Sequence, residues 1–503
     1  MPEGALVTEL ASRLSGIAII STDINDNDIE GQDSESLVAY IADYFKESDR
    51  PGLLTKDLLV KIIDEKRVVA APKVEIIKAP DFKPLGKDIP SEFKIRNVEV
   101  HKTVGTVLDF THYFNDRLQK IRGFLQEGRG SRMSGLVKSI DAIKQYASGK
   151  EVTVVGMVYD KIITKNGHVL ITLEDETGSA KILFAKQDKR IANSLFENSN
   201  RIIVDEVIAV RGKLSGSLLI ASELVYPDIP VHNRKATEED VAIAFMSDVH
   251  VGSKLFMEKQ FLRFIEWVNG GLDYRKDLAQ KIKYITVSGD LVDGIGVYPD
   301  QQKELAIDDI YKQYNELFNL FSKVPDYIEI FLITGNHDGV QRAEPQPQLP
   351  EGFYKDFRHL QNIHLVTNPG YININGLQVL GYHGTSLDSI IQGIPGCSYS
   401  KPETAMLEVL KRRHLSPIYG DNPIVPGKGD SMVIDQVPDI LHMGHLHKNG
   451  SAEHHGTLIV NSGTWQGRTS FQVRMGHVPT PAILPIYETK SMKFQQMDFN
   501  MQT

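Results

Sequence analysis

Only one of the 503 residues is a cysteine, Cys397. No intrachain disulfide can form, a thiolate metal site is excluded, and a reducing cytosol fits. Long apolar runs are also missing: no stretch approaches the roughly 18 residues of a membrane span. The N-terminus has no basic region leading into an apolar core, so it carries no secretory signal. The expectation is a cytoplasmic protein without membrane contact. Positive charge is not in excess either. Lys and Arg number 56 against 65 Asp and Glu, a net charge of −9. That is not the bulk signature of a nucleic-acid binder, although local patches and bound cations can supply positive potential. Internal repeats, low-complexity tracts and Walker-type phosphate loops are absent. What is present is ordinary for a globular chain, 41% hydrophobic and 24% charged, and its length suggests about three domains.

Between residues 241 and 465 five short polar clusters each follow an apolar run. They are Ser247-Asp248-Val249-His250, Ser288-Gly289-Asp290-Leu291-Val292-Asp293, Thr334-Gly335-Asn336-His337-Asp338, Gly381-Tyr382-His383-Gly384 and Gly444-His445-Leu446-His447. The runs are short and β-rich and read as buried strands. The clusters therefore fall on loops at strand ends, where sites on α/β scaffolds form.

The candidate ligands are Asp248, His250, Asp290, Asn336, His383, His445 and His447. All are oxygen or imidazole-nitrogen donors, a mixture suited to Mn²⁺, Fe²⁺ or Zn²⁺ rather than Ca²⁺. Seven donors exceed one tetrahedral ion and suit two divalent ions about 3.5–4 Å apart sharing a carboxylate. Glycines beside the ligands allow sharp turns and close backbone approach.

Ahead of this region, residues 1–70 read as an acidic helical domain, a docking module or a solubilising one. Leu37, Tyr40, Ile41 and Phe45 have helical spacing, and a second helix is expected over 55–65 with Thr55 as N-cap. Residues 71–105, with Ala-Pro and Lys-Pro steps, read as a linker. Residues 106–149 read as helical and basic (Arg117, Lys120, Arg122, Arg129, Arg132, Lys138, Lys144), the charges solvating a helix face or meeting a DNA backbone. Residues 150–232 contain five strands, with a helix-like 187–195 segment after the third and a tight turn at Asp175-Glu176-Thr177-Gly178. This reads as an OB fold. Tyr159 and Phe184 are nearly its only aromatics, so a protein-interaction platform competes with single-strand binding. Residues 241–503 form the last domain, with covering helices expected over 256–268 and 307–321.

The series D-x-H, G-D-x-x-D, G-N-H-D, a glycine-flanked His and G-H-x-H, complete and in order, resembles the calcineurin-like metallophosphoesterase superfamily. The stretches from Ser288, Gly335, Gly444 and Asn461 (Asn-Ser-Gly-Thr-Trp-Gln) further resemble the small subunits of archaeal family-D DNA polymerases, over about residues 106–503. The resemblance implies an α/β multidomain chain: a four-layer α-β-β-α metallophosphoesterase domain preceded by an OB-fold β-barrel and an N-terminal helical region. It implies a 3′→5′ exonuclease that proofreads for a replicative polymerase, using two divalent ions with Mn²⁺ first in order. Its partners would be a large catalytic polymerase subunit in a heterodimer, DNA with a 3′ end, and the sliding clamp as a further candidate. Two alternatives stand beside this: a non-catalytic assembly subunit with a vestigial metal site, and a double-strand-break repair nuclease. The latter family begins with the phosphoesterase domain, which argues against it.

By the family's pattern Asp248, His250 and His447 hold one ion, Asn336, His383 and His445 the other, and Asp290 bridges. His337 is then no ligand but stabilises the transition state or protonates the leaving 3′-oxygen. Asp293 is expected to hydrogen-bond His337 and fix its tautomer, or else to be a turn residue before Gly294. Asp338 is expected to order its loop and His442 to be a core or supporting residue. His364, His454, His455 and His477 have no motif context and read as structural. Arg342, Gln346 and Gln348 are candidates to grip DNA or to line the subunit interface; Asp388 and Lys401 stay undecided.

Overall fold

A computed structural model describes residues 5–15, 18–24, 37–38, 41–42, 45, 52–59, 82–127, 136–186 and 190–501. The chain divides into two units, residues 1–76 and 77–503. In the first, helix α1 (Ala5–Arg13) precedes β1 (Ala18–Ile20), which pairs in parallel with β2 (Gly52–Leu54). Val7, Leu10, Leu14, Leu37, Ile41 and Leu59 form its core, with Phe45 against it. Thr55 Oγ1 accepts from the Leu58 amide at 3.3 Å, the N-cap expected there. Tyr40 and residues 60–65 of the expected helix lie outside the described residues.

The second unit opens with β3 (Phe93–Asn97) and helix α2 (Val107–Glu127). Five strands follow: β4 (Glu151–Ile163), β5 (Val169–Asp175), β6 (Gly178–Phe184) and, after helix α3 (Arg190–Asn200), β7 (Val207–Ser215) and β8 (Leu218–Val225). They close into a barrel in the order β4-β5-β6-β8-β7. Strict alternation builds it: Val169, Ile171 and Leu173 of β5 point inward to meet Val154, Ile182 and Val210. The β5–β6 turn is fixed by Asp175 Oδ1, which accepts from the amides of Thr177 at 2.8 Å and Gly178 at 3.2 Å. Phe184 is buried, which leaves Tyr159 as the exposed ring of the two.

The remaining elements are β9 (Ala242–Met246), α4 (Glu258–Val268), β10 (Ile282–Ser288), α5 (Ile310–Phe321), β11 (Glu329–Ile333), β12 (Ile363–Val366), β13 (Gly370–Ile374), β14 (Leu377–Gly381), α6 (Leu387–Gly393), α7 (Pro402–Arg412), β15 (Ile440–Met443), β16 (Asn449–His454), β17 (Thr457–Ser462), α8 (Ser470–Met475), β18 (Ile483–Glu488) and β19 (Lys493–Asp498). They form two six-stranded sheets, β12-β11-β10-β9-β18-β19 and β16-β17-β15-β14-β13-β3. The sheets share one core, in which Ile243, Phe245, Phe331 and Ile333 meet Ile372, Val379, Ile440 and Val460. Their central strands run parallel and are buried on both faces, which explains their continuous apolar sequence. Helices α6 and α7 cover the second sheet through Leu387, Ile390, Met406 and Val409. Helices α4 and α5 each bury an i, i+3, i+4, i+7 stripe: Phe261, Phe264, Ile265, Val268 and Tyr314, Leu317, Phe318, Phe321.

Two expectations need correction. The stretch read as a linker contributes an edge strand: β3 pairs antiparallel with β13, and Phe93 and Ile95 pack on the inter-sheet core. Its alternating apolar residues were masked by flanking prolines and charges. The 106–149 stretch is α-helical only over Val107–Glu127, and three of its basic residues do more than solvate that helix. Arg117 is buried, with Nε 2.7 Å from Asp430 Oδ2 and Nη1 donating to the carbonyls of Asp205 and Pro417. Arg122 Nη2 donates to the Val155 carbonyl and Asp175, and Lys120 Nζ to the Asp430 carbonyl. These side chains fasten α2 to the barrel and to the two-sheet domain; Arg129 and Arg132 lie outside the described residues.

Burial opposes the charge of Asp430, but His414 and Arg117 hold its carboxyl well below the usual range. Arg117→Met would leave that carboxylate buried without its cation, and equilibrium denaturation should show a loss of about 3–5 kcal/mol. Burial also pushes the His414 imidazole down to about 4 and that of His442 down to about 3. The unfolded chain takes up these protons near pH 6.5, whereas the native chain refuses them until far lower pH. Thermal midpoints should therefore be flat above about pH 6.5, as far as these groups decide, and fall from there toward pH 4.

Candidate metal centre

The five polar clusters follow β9, β10, β11, β14 and β15 directly, so the carboxyl ends of both sheets deliver them to one place. The backbone there is held in an unusual state. Asp248, His250, Asp290, His445 and His447 all have positive φ, between 50° and 68°. For residues with a Cβ this costs of order 1–3 kcal/mol each and persists only where the surroundings enforce it. Contacts between neighbouring clusters do so. The Asp248 amide donates to the Gly289 carbonyl at 2.9 Å, the His445 amide to Asp248 Oδ2 at 2.9 Å, and the His337 amide to Asp290 Oδ1 at 2.9 Å. Glycine is required at two approaches: a Cβ at Gly335 would overlap Asp290 Oδ1, and one at Gly289, with φ +85°, would overlap the His383 ring.

Six of the seven expected ligands come together through their side chains. His447 Nε2 lies 3.0 Å from His250 Nε2 and 3.2 Å from Asp248 Oδ1. On the other side His383 Nε2 lies 2.9 Å from Asn336 Oδ1 and 3.4 Å from Asp290 Oδ2. Asp290 Oδ2 is also 3.8 Å from His250 Nε2, so this one oxygen borders both groups. Such separations match the edges of coordination shells with bonds of about 2.0–2.2 Å. Asp248, His250 and His447 form one close group of donors that could hold a metal ion, and Asp248, Asp290 and His383 another. His445 sits outside these groups. Its Nε2 is 2.9 Å from Asp388 Oδ2, which leaves Nδ1 as the ring nitrogen available for ligation.

The electrostatics call for cations. Burial opposes ionisation of Asp290, yet His383 and His337 hold its carboxyl well below the ordinary range. Asp248 is likewise buried and is held low by His447. Without ions the balancing charge is a proton: burial works against it, but Asp290 raises His383 to about 10. Divalent cations are the alternative source of that charge, and the all-N/O donor set fits them.

The supporting groups refine the expectations. The Asp293 carboxylate does not serve His337. Its Oδ1 accepts from His250 Nδ1 at 3.1 Å, leaving His250 Nε2 for a metal, while Gln301 and Gln466 hold the carboxylate from the other side. It is instead the Asp293 backbone carbonyl that accepts from His337 Nδ1, at 2.7 Å. Ser288's carbonyl fixes His383 in the same way at 2.9 Å, and the Gln472 amide lies 2.8 Å from His447 Nδ1. Asp338 orders its loop as expected, accepting from the amides of Gly335 and Leu291 and from the Tyr314 hydroxyl. His442 is a core residue bonded by Thr286, Ser288 and Ser462.

Neither substrate candidate faces the cleft. Gln346 is buried and spends its amide on the carbonyls of Gly335 and Gln341 and on Asn368. Arg342 donates to the Val297 carbonyl at 2.5 Å and so ties two loops together. Gln348 bonds the Leu365 carbonyl. Sequence reasoning missed Gln466 and Gln472, although Gln466 ends the Asn461-Ser-Gly-Thr-Trp-Gln stretch, and it left Asp388 undecided. A separate triad joins Asp228, His454 and His455. There His454 Nε2 pairs with Asp228 at 2.8 Å and His455 Nδ1 with the Ile229 carbonyl at 2.8 Å, so both nitrogens serve the fold. No helix among the described residues is long and apolar enough to cross a membrane.

The family described as the B subunits of DNA polymerases alpha and epsilon matches residues 243–450. The DNA polymerase II small subunit of Methanothermobacter thermautotrophicus is 36% identical over 470 residues, 90% of this chain and 95% of that protein. The chain belongs to the archaeal DNA polymerase II small-subunit family. The small subunit of Archaeoglobus fulgidus is 41% identical, over 76% of this chain and 75% of its own length. That of Methanocaldococcus jannaschii is 42% identical, over 76% of this chain and 64% of its own length.

In this family member Asp293→Ala should weaken divalent-metal binding about 10- to 100-fold by releasing the His250 ring. Calorimetric Mn²⁺ titration of the folded variant would measure it.

Proposed function

We propose that this chain is the proofreading small subunit of a two-subunit DNA polymerase, a 3′→5′ exodeoxyribonuclease with a two-metal site. The observation that carries the reading is the placement of Asp290 Oδ2 between two imidazole groups, 3.8 Å from His250 and 3.4 Å from His383. This is the arrangement expected of a bridging carboxylate. The architecture supports the same reading: a closed five-stranded barrel precedes two six-stranded sheets that share one core, the arrangement expected of an OB fold at 150–232 ahead of a four-layer α-β-β-α metallophosphoesterase domain over 241–503, with β3 added to it. Asp248, His250 and His447 are assigned to one ion, and Asn336, His383 and His445 to the second. Two bound divalent ions, Mn²⁺ in the first instance, supply Lewis acidity to a phosphodiester and to the attacking water.

The chain's own groups do the positioning. Asp293 and the Ser288 carbonyl keep His250 and His383 in the tautomer that leaves Nε2 free. His337 directs Nδ1–H to the Asp293 carbonyl, so its Nε2, 3.9 Å from Asp290 Oδ2, handles the proton at the leaving oxygen. The name of the relatives denotes a small subunit. A large polymerase subunit is accordingly assigned as the partner, and DNA with a 3′ end as the substrate.

The purified chain with Mn²⁺, alone or with its large subunit, should shorten 5′-labelled single-stranded DNA stepwise from the 3′ end, and a chelator should abolish this. A chain that binds metal yet leaves such DNA intact in both settings would instead be an assembly subunit. His337→Ala should keep both ions and lose about 10²–10⁴-fold in single-turnover rate. Asp290→Ala should lose metal and activity together, because nothing then separates the two cations. Metal content measured beside the rates distinguishes a proton-handling residue from a ligand. Co-expression with the large subunit should give a complex that survives salt concentrations at which phosphate-driven DNA binding fails.

A further inference from the structure

The metal-binding groups lie at the floor of a cavity of about 320 Å³, at the small end of the ~300–1,000 Å³ typical of ligand pockets. Such a space admits a ligand the size of a nucleotide. Its walls hold no Lys or Arg, so no basic side chain of the wall grips that nucleotide. The walls carry ring faces instead. Tyr298 stands beside His337, ring centres 6.2 Å apart, with its hydroxyl donating to Glu304 at 3.0 Å. Tyr399 and His477 are stacked, centres 4.2 Å apart and planes at 28°. Phe471, on α8, also lines the cavity yet is 53% exposed.

An aromatic ring held half in water at a cavity mouth leaves apolar surface unburied until something flat covers it. The ring is also pre-positioned. Helix α8 starts in a capping box between Thr469 and Gln472. Gln472, the next residue along, reaches His447 at 2.8 Å, so Phe471 is one residue from a direct tether to the metal-binding group. On the other wall Asp388 links the same centre to the stacked pair. Its Oδ2 lies 2.9 Å from His445 Nε2, and its carboxylate accepts from the Tyr399 hydroxyl.

We propose that Phe471 and the stacked Tyr399–His477 pair form a stacking subsite for the unpaired terminal base of single-stranded DNA. This rests on the nuclease reading for what lies at the cavity floor, but its contacts are to the base. Because every base has a π-face, the subsite tolerates sequence. A ring face stacks on a base whose own face is uncovered, so the subsite takes the terminal base of a single strand.

The test uses the full chain with its large subunit and an oligodeoxythymidylate carrying 2-aminopurine as its 3′-terminal base, whose fluorescence falls on stacking. It is followed through the first turnover with Mn²⁺. Wild type should quench the probe. Phe471→Ala should weaken binding about tenfold, raising KM far more than it lowers kcat, with metal content unchanged. Phe471→Trp should restore quenching. Val473→Ser, on the same helix but outside the cavity wall, should change nothing. Cleavage without quenching, or quenching that ignores Phe471, overturns the subsite and leaves the nuclease reading standing. Phe471-dependent quenching without cleavage overturns the nuclease reading and leaves the subsite. A Phe471→Ala variant that loses only its large subunit assigns the ring to a protein interface and overturns the subsite.

Discussion

Two carboxylates, Asp248 and Asp290, lie essentially out of contact with water, at 0% and 1% exposure. Buried charge of this kind survives only when compensated on every side, and much of the two-sheet domain is arranged to do that. The β-strands stop where their next residues can turn the acids toward each other. The turns take left-handed backbone at five of the candidate ligand positions, and amides of neighbouring clusters hold them there. Around the imidazoles sits a further layer whose task is orientation: Asp293, Gln301, Gln466 and Gln472. Loops that would otherwise relax are kept under constraint by the charges they surround, and the charges are kept together by the loops.

The strands, and the gathering of six of the seven candidate donors, were legible in the sequence because both depend on local signals. A β-rich apolar run followed by a polar, glycine-containing cluster needs no knowledge of distant contacts. What was illegible depended on partners far along the chain. Asp293 sits three residues after Asp290, and nothing local says that its carboxylate turns to His250 while its carbonyl takes His337. Gln346 and Arg342 look like substrate contacts by proximity to Asn336, but Gln346 closes its own loop and Arg342 ties that loop to the one at Val297. Arg117 resembles the other basic residues of its helix, and only Asp430, 313 positions later, draws it inside.

The barrel and the two-sheet domain are joined by buried charge as well as by the chain. Arg412 of α7 pairs with Glu206, which lies just before β7, at 2.5 Å, and with Glu408 on its own helix. Arg201, at the end of α3, reaches Glu408 at 2.6 Å. Burial lifts Glu206 toward about 7 despite Arg412 beside it. Such pairs contribute little net stability but fix one relative placement, because a slip of either domain would strand a charge. The barrel is thus held in a set orientation to the domain that carries the five polar clusters.

The edge strand β3 changes what counts as a piece of this protein. It enters the second sheet more than 140 positions before the sheet's host domain begins in sequence, as the spans Phe93–Asn97 and Ala242–Met246 show. It pairs through five residues with β13, and Arg96 lies 3.9 Å over the Tyr371 ring. A fragment cut at the start of the last domain would therefore be short of a strand, with the β13 edge open to pairing with other chains. The barrel and α2 are an excursion between two parts of one fold. For dissection, grafting or display, the smallest self-sufficient piece is set by the closure of that sheet and not by where its motifs begin.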